Sequence, residues 1–97
     1  MDEFTGAYIE CQLRVFEEHD DYIMSDEAKE NIKRDCALFQ DKASKYLVGL
    51  DSAQCGHDFY LTRNRHGTGF WDRGYDRKIA LNLTRISHEF GESYEGY

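Results

Sequence analysis

Apolar residues recur along this chain at spacings that change from one stretch to the next. Phe4, Tyr8, Cys11 and Val15 stand at i, i+4, i+7 and i+11, one face of a helix over residues 5–17, with Thr5 placed to cap it. Ile9, Cys11, Leu13 and Val15 also alternate with Glu10, Gln12 and Arg14, which is a strand pattern. The length of the stretch and its unbranched Glu, Gln, Leu and Arg residues favour the helix. Ser25 then caps a second helix, with Asp26 and Glu27 complementing its positive end. Ile32, Cys36, Phe39, Ala43 and Leu47 keep helical spacing, and Gly49 stops the run.

After a single capped turn at Asp51-Ser52-Ala53-Gln54, the period falls to two. Phe59 and Leu61 alternate with Asp58, Tyr60 and Thr62, which predicts a strand from His57 to Arg63. Asn64-Arg65-His66-Gly67 is a turn, and residues 67–72 return as a second strand. Asp72 or Asp76 then caps a third helix carrying Ile79, Leu83, Ile86 and Phe90 on one face, closed by Gly91. The tail from Glu92 has no strong period and reads as an edge strand or a loose end. The expected fold is a single α+β domain over residues 1–97, three helices on a small antiparallel sheet. A hairpin alone is marginal in water, so the sheet needs helices over it. The expected core is Ile32, Phe39, Leu47, Phe59, Leu61, Ile79, Leu83, Ile86 and Phe90.

Ninety-seven residues suit one domain, and the 14% aromatic content helps so short a chain fill a core. Cys11, Cys36 and Cys55 are odd in number and widely spaced, which predicts free, mostly buried thiols and no disulfide framework. Cys55-Gly56-His57 is half of a zinc motif without its second half. The acidic start Met1-Asp2-Glu3-Phe4 lacks signal-peptide character, and no apolar run reaches the roughly 18 residues of a membrane span. A soluble, cytoplasmic protein is expected.

Charge changes the picture further. The chain has a net charge of −7, unevenly placed: residues 1–58 carry 14 acids and 6 bases (net −8), whereas residues 59–79 carry 5 bases and 2 acids (net +3). The acidic excess argues against ordinary DNA binding. It suits either a solvated surface or one that competes with nucleic acid for a basic partner. Glu17, Glu18, Asp20 and Asp21 bunch between the first two helices and are one candidate binding surface. Lys29, Lys33, Arg34, Lys42 and Lys45 break up the acidic surface of the second helix, against pure mimicry of nucleic acid.

The segment from His57 to Gly74 concentrates the unusual chemistry: the only tryptophan, two histidines, three arginines and three glycines. Tyr60, Arg63, Arg65, His66, Trp71 and Arg73 are the candidate binding residues, being of types that dominate protein interfaces. Arg63, Arg65 and Arg73 around Gly67-Thr68-Gly69 could instead cradle a phosphate, with Tyr60, Phe70 and Trp71 stacking a base. That makes a nucleotide or single-stranded nucleic-acid module the alternative reading. A P-loop is absent, because no GKS/T follows the glycines. A third arrangement pairs Arg63 and Arg73 with Asp58 and Asp72 across facing strands. His57-Asp58 matches part of metal-dependent phosphohydrolase motifs, but the further His and Asp ligands are missing. No catalytic residue, metal or cofactor is expected.

Ala7-Tyr8-Ile9-Glu10, Asp35-Cys36, Gly49-Leu50-Asp51, Gly56-His57-Asp58-Phe59, Leu61-Thr62-Arg63-Asn64, His66-Gly67 and Gly69-Phe70-Trp71-Asp72-Arg73-Gly74 occur in an order that closely resembles a family of small proteins of tailed bacteriophages and prophages. Its members commonly have glycine where Arg65 stands here, and a longer acidic loop after the first helix. The resemblance implies a setting and no established activity: an accessory protein in the cytoplasm of an infected bacterium. By analogy with other small acidic phage proteins, it implies a non-enzymatic protein that binds and modulates or inhibits a host or anti-phage-defence protein, one that handles nucleic acid.

Overall fold

The computed structural model describes residues 1–16 and 24–92. The acidic cluster Glu17, Glu18, Asp20 and Asp21 and the tail from residue 93 lie outside the described residues. Five α-helices follow one another: α1 (Glu3–Val15), α2 (Asp26–Lys42), α3 (Ser44–Leu47), α4 (Ser52–Arg63) and α5 (Arg77–Glu89), with one 3-10 turn (Phe70–Asp72) between the last two. The described residues contain no strand, so the fold is all-helical and the expected α+β architecture is wrong. The predicted strand at 57–63 is the second half of α4, and its predicted partner at 67–72 is a loop with the 3-10 turn.

Local chemistry sets most helix starts. Asp2 caps α1, its Oδ1 accepting from the Thr5 N–H at 2.8 Å, so Thr5 is an interior residue and not the cap. Ser25 caps α2 through the Ala28 N–H at 3.1 Å. Asp51 caps α4 through the Gln54 N–H at 3.0 Å, so the capped turn at 51–54 begins a helix instead of ending in a strand. Asp76 caps α5 through the Lys78 N–H at 2.9 Å.

The end of α4 has a particular geometry. The Arg65 N–H returns to the Thr62 carbonyl and the His66 N–H to the Leu61 carbonyl, at 3.2 and 3.0 Å. This paired closure forces the residue after the cap into the left-handed region, and Arg65 has φ +55. Glycine normally fills that place, because a Cβ there is strained.

The strand reading failed because α4 is the innermost helix. Cys55, Gly56, Asp58, Phe59, Tyr60, Thr62 and Arg63 are all buried, so the helix has no polar face to reveal a period of 3.6. Alternation of Phe59 and Leu61 with polar neighbours was therefore accidental. The principal packing of α4 is against α1. Gly56 permits it: a Cβ there would stand 2.1 Å from the Phe4 carbonyl oxygen, so any side chain would push the two helices apart.

Aromatic rings fill the core. Phe39 of α2 stacks on Phe59 of α4 at 4.2 Å between centroids. Phe4 meets Phe39 at 5.7 Å, Tyr8 meets Phe59 at 5.4 Å, and Phe70 and Phe90 close the group at 5.9 and 6.0 Å from Phe39. All nine expected core residues join this cluster, with Leu47, Leu61, Ile79 and Phe90 at its partly exposed margin. The expectation omitted Phe4, Tyr8, Tyr60 and Phe70, each fully or almost fully buried.

The three cysteines are free and buried. Burial pushes their thiols up to about 11 for Cys11, about 12 for Cys36 and about 11 for Cys55. Burial thus favours the protonated thiol at neutral pH.

Candidate functional site

The segment from His57 to Gly74 divides at Asn64. Before that point its side chains face inward. Tyr60 is fully buried against Tyr8, with ring centroids 5.2 Å apart. Arg63 is 4% exposed and ties three helices together. Its Nη1 donates to Asp35 Oδ2 on α2 at 3.0 Å and to the Tyr8 hydroxyl on α1 at 3.3 Å. Its Nε and Nη2 donate to the Gly91 and Phe90 carbonyls at 2.9 and 3.2 Å. A cation is thereby set on the negative end of α5 and satisfies its last carbonyls. The guanidinium also lies over the Phe59 and Phe90 rings, 5.3 and 5.7 Å from their centroids. Arg63 thus staples α4 to α1, α2 and the end of α5.

Asp58 is fully buried, and Arg73 closes over it from the loop. The Arg73 Nε and Nη2 donate to Asp58 Oδ1 at 3.0 and 2.8 Å, and Nε reaches Oδ2 at 3.1 Å. This fork raises the Arg73 pKa above its ordinary value. Gln54 donates to the same Oδ1 at 3.3 Å. Tyr75 lies near Cys55 and Asp58, and burial together with these neighbours pushes its hydroxyl up to about 12. Arg73 and Tyr75 thus latch the loop onto α4. The expected pairing of Arg73 with Asp58 is present, but between a loop and a helix instead of facing strands. Arg63 pairs with Asp35, a partner the strand geometry could not offer.

The same contacts disperse the expected phosphate cradle. Arg63 is bound to Asp35 and Arg73 to Asp58, and Arg65 lies 3.8 Å from Glu92. The loop N–H groups are also engaged: Gly69 donates to Asp72 Oδ2 at 3.1 Å and Phe70 to Thr62 Oγ1 at 3.4 Å. Gly69 is needed for that approach, since a Cβ would stand 2.1 Å from Thr62 Oγ1. His57 and Asp58 are neighbours on a helix with Asp58 held by Arg73. Among the described residues, no three His, Cys, Asp or Glu side chains gather where they could hold a metal.

After Asn64, Phe70 turns back into the core and most of the other side chains meet solvent. Arg65, His66 and Trp71 are exposed, and His66 stacks on the edge of the core over Tyr60 at 5.6 Å. Trp71 is 45% exposed and stands at one wall of a groove of about 450 Å³ lined by Trp71, Tyr75, Arg77, Ala80, Leu81 and Thr84. Leu81 is 57% exposed in the same groove. The 3-10 turn carries Trp71, and the first two turns of α5 carry the opposite wall. Two large apolar side chains thus share one concave surface. Of the six tyrosine, arginine, histidine and tryptophan candidates, the fold brings only Trp71 to this groove. Arg77, Leu81 and Thr84 were not anticipated. The signal available was Leu81 itself, an apolar residue off the Ile79-Leu83-Ile86-Phe90 face of α5.

A second hollow, of about 390 Å³, is lined by Lys42, Lys45, Tyr46, Arg85, Ile86 and Glu89. Lys42 and Arg85 both reach Glu89, at 3.6 and 2.8 Å, so its charges are largely matched internally. Among the described residues, no helix is long and apolar enough to cross a membrane. No protein-family model, no curated protein and no solved structure matches this chain.

Proposed function

We propose that this chain is a small, non-enzymatic phage accessory protein that binds a host or anti-phage-defence protein, one that handles nucleic acid, and so modulates or inhibits it. The observation that carries the binding role is the groove between the 3-10 turn and α5, where Trp71 and Leu81 are held exposed side by side. Exposing two large apolar residues in one concavity costs solvation, and such patches serve recognition. The phage setting rests on the motif order around residues 56–74. The choice of a nucleic-acid-handling target rests on the net −8 of residues 1–58, which suits a partner with a basic surface. The nucleotide-binding alternative gains no support from Arg63, Arg65 and Arg73, each of which already faces a carboxylate.

Affinity capture from infected-cell lysate tests this reading, using the wild-type chain beside the Trp71→Ser/Leu81→Ser variant. Both substitutions are at exposed positions, so the variant is expected to keep its fold by circular dichroism. The expected result is a defined protein retained by the wild type, lost with the variant and bound again when purified. Equal capture by both chains would remove the groove from the interface.

A further inference from the structure

Eight of the twelve Lys and Arg side chains lie within 4.0 Å of a carboxylate. Among the described residues, Lys29, Lys45, Arg77 and Lys78 do not, and of these Arg77 lines the groove with Lys78 next to it in sequence. The acids nearest them in sequence are turned to the backbone: Asp76 accepts from the Lys78 N–H at 2.9 Å, and Asp72 accepts from the Gly69 N–H at 3.1 Å. Arg77 and Lys78 also occupy the first turn of α5, where the helix dipole opposes positive charge. The first turns of α1 and α2 carry Glu3 and Asp26 with Glu27 instead. Arg77 therefore stands, against local preference, beside an apolar floor of Trp71, Ala80 and Leu81, and Lys78 follows it in the same helical turn.

We infer that the groove takes an acidic polypeptide segment of the partner, with one large apolar side chain seated against Trp71 and Leu81 and flanking carboxylates on Arg77 and Lys78. This rests on the protein-binding reading and names the chemistry of what binds. The aliphatic part of the floor suits a side chain better than a nucleotide base, and two cations are few for a phosphate backbone. The chain's overall negative charge does not forbid an acidic occupant. Screening at physiological salt acts over about 8 Å, so the nearest charges decide.

A random peptide library displayed on a carrier is selected on the wild-type protein and depleted on the folded Trp71→Ser/Leu81→Ser variant, with Leu81→Ser alone as a milder second variant. Selected peptides are then titrated by the fluorescence of Trp71, the single tryptophan. The expected peptides are rich in Asp and Glu around an apolar residue. Arg77→Glu with Lys78→Glu weakens them by about tenfold or more, and so does raising salt from about 0.05 to about 0.5 M. Groove-dependent peptides without acidic enrichment would overturn this inference and leave the protein-binding reading standing. The absence of any groove-dependent peptide would sink both. Stronger perturbation of Trp71 by oligothymidylate than by any selected peptide would also overturn it, in favour of nucleic acid.

Discussion

The two halves of the segment from His57 to Gly74 use the same residue types for opposite purposes. In the first half, Tyr60 and Arg63 belong to α4 and are enclosed by α1, α2 and the end of α5. In the second half, Arg65, His66 and Trp71 belong to the loop and meet solvent. Residue type thus says little about role by itself. What separates the halves is the number of elements packed around each. A buried arginine must satisfy its donors inside the protein, and Arg63 does so on a carboxylate, a hydroxyl and two carbonyls. An exposed one has no such obligation.

The three arginines grade this comparison. The largest effect is expected at Arg63. Replacing it with methionine leaves Asp35 with only the looser Arg34 contact at 3.7 Å and uncaps the end of α5, which should cost about 3–5 kcal/mol in urea unfolding. A loss below about 1 kcal/mol would mean that the staple contributes little, and that the inner half resembles the outer. Arg73 comes next, since its fork is partly exposed but its partner is not. Arg73→Ala leaves the buried Asp58 with Gln54 alone and should cost about 1.5–3 kcal/mol. Asp58→Asn in the same chain should recover part of that loss, because the uncompensated charge is gone. If the double variant is no more stable than Arg73→Ala, the charge of Asp58 is not what Arg73 balances.

Arg65 should give the smallest effect, with the opposite sign. Arg65→Gly relieves the left-handed strain at φ +55 and is expected to raise stability by about 0.5–1 kcal/mol. Its distant contact with Glu92, at 3.8 Å and largely exposed, offsets little. A melting temperature lowered by Arg65→Gly would show that this contact outweighs the backbone strain.

Much of the helical framework was legible in the chain. Ser25 marks the start of α2, Asp76 is the one of two offered caps that starts α5, and Gly49 and Gly91 sit at positive φ where the helical periods run out. Surface helices advertise themselves because one face must be polar, and α5 with Ile79, Leu83 and Ile86 inward is a clear instance. Helix α4 was not legible by that rule. Its cap at Asp51 followed by Gln54 was the available clue, and the apparent alternation through Phe59 and Leu61 overrode it.

The sequence alone determined nine residues of the core, the start of α2 and the three thiols with no disulfide framework, because these follow from local spacing and composition. Tertiary structure alone decided that α4 is a helix, since an element buried on nearly every side is specified by its neighbours and not by its own period. It also decided that Arg63 is a staple while Trp71 faces a groove. Exposure belongs to the surfaces that meet around a residue, and those surfaces come from parts of the chain far apart in sequence.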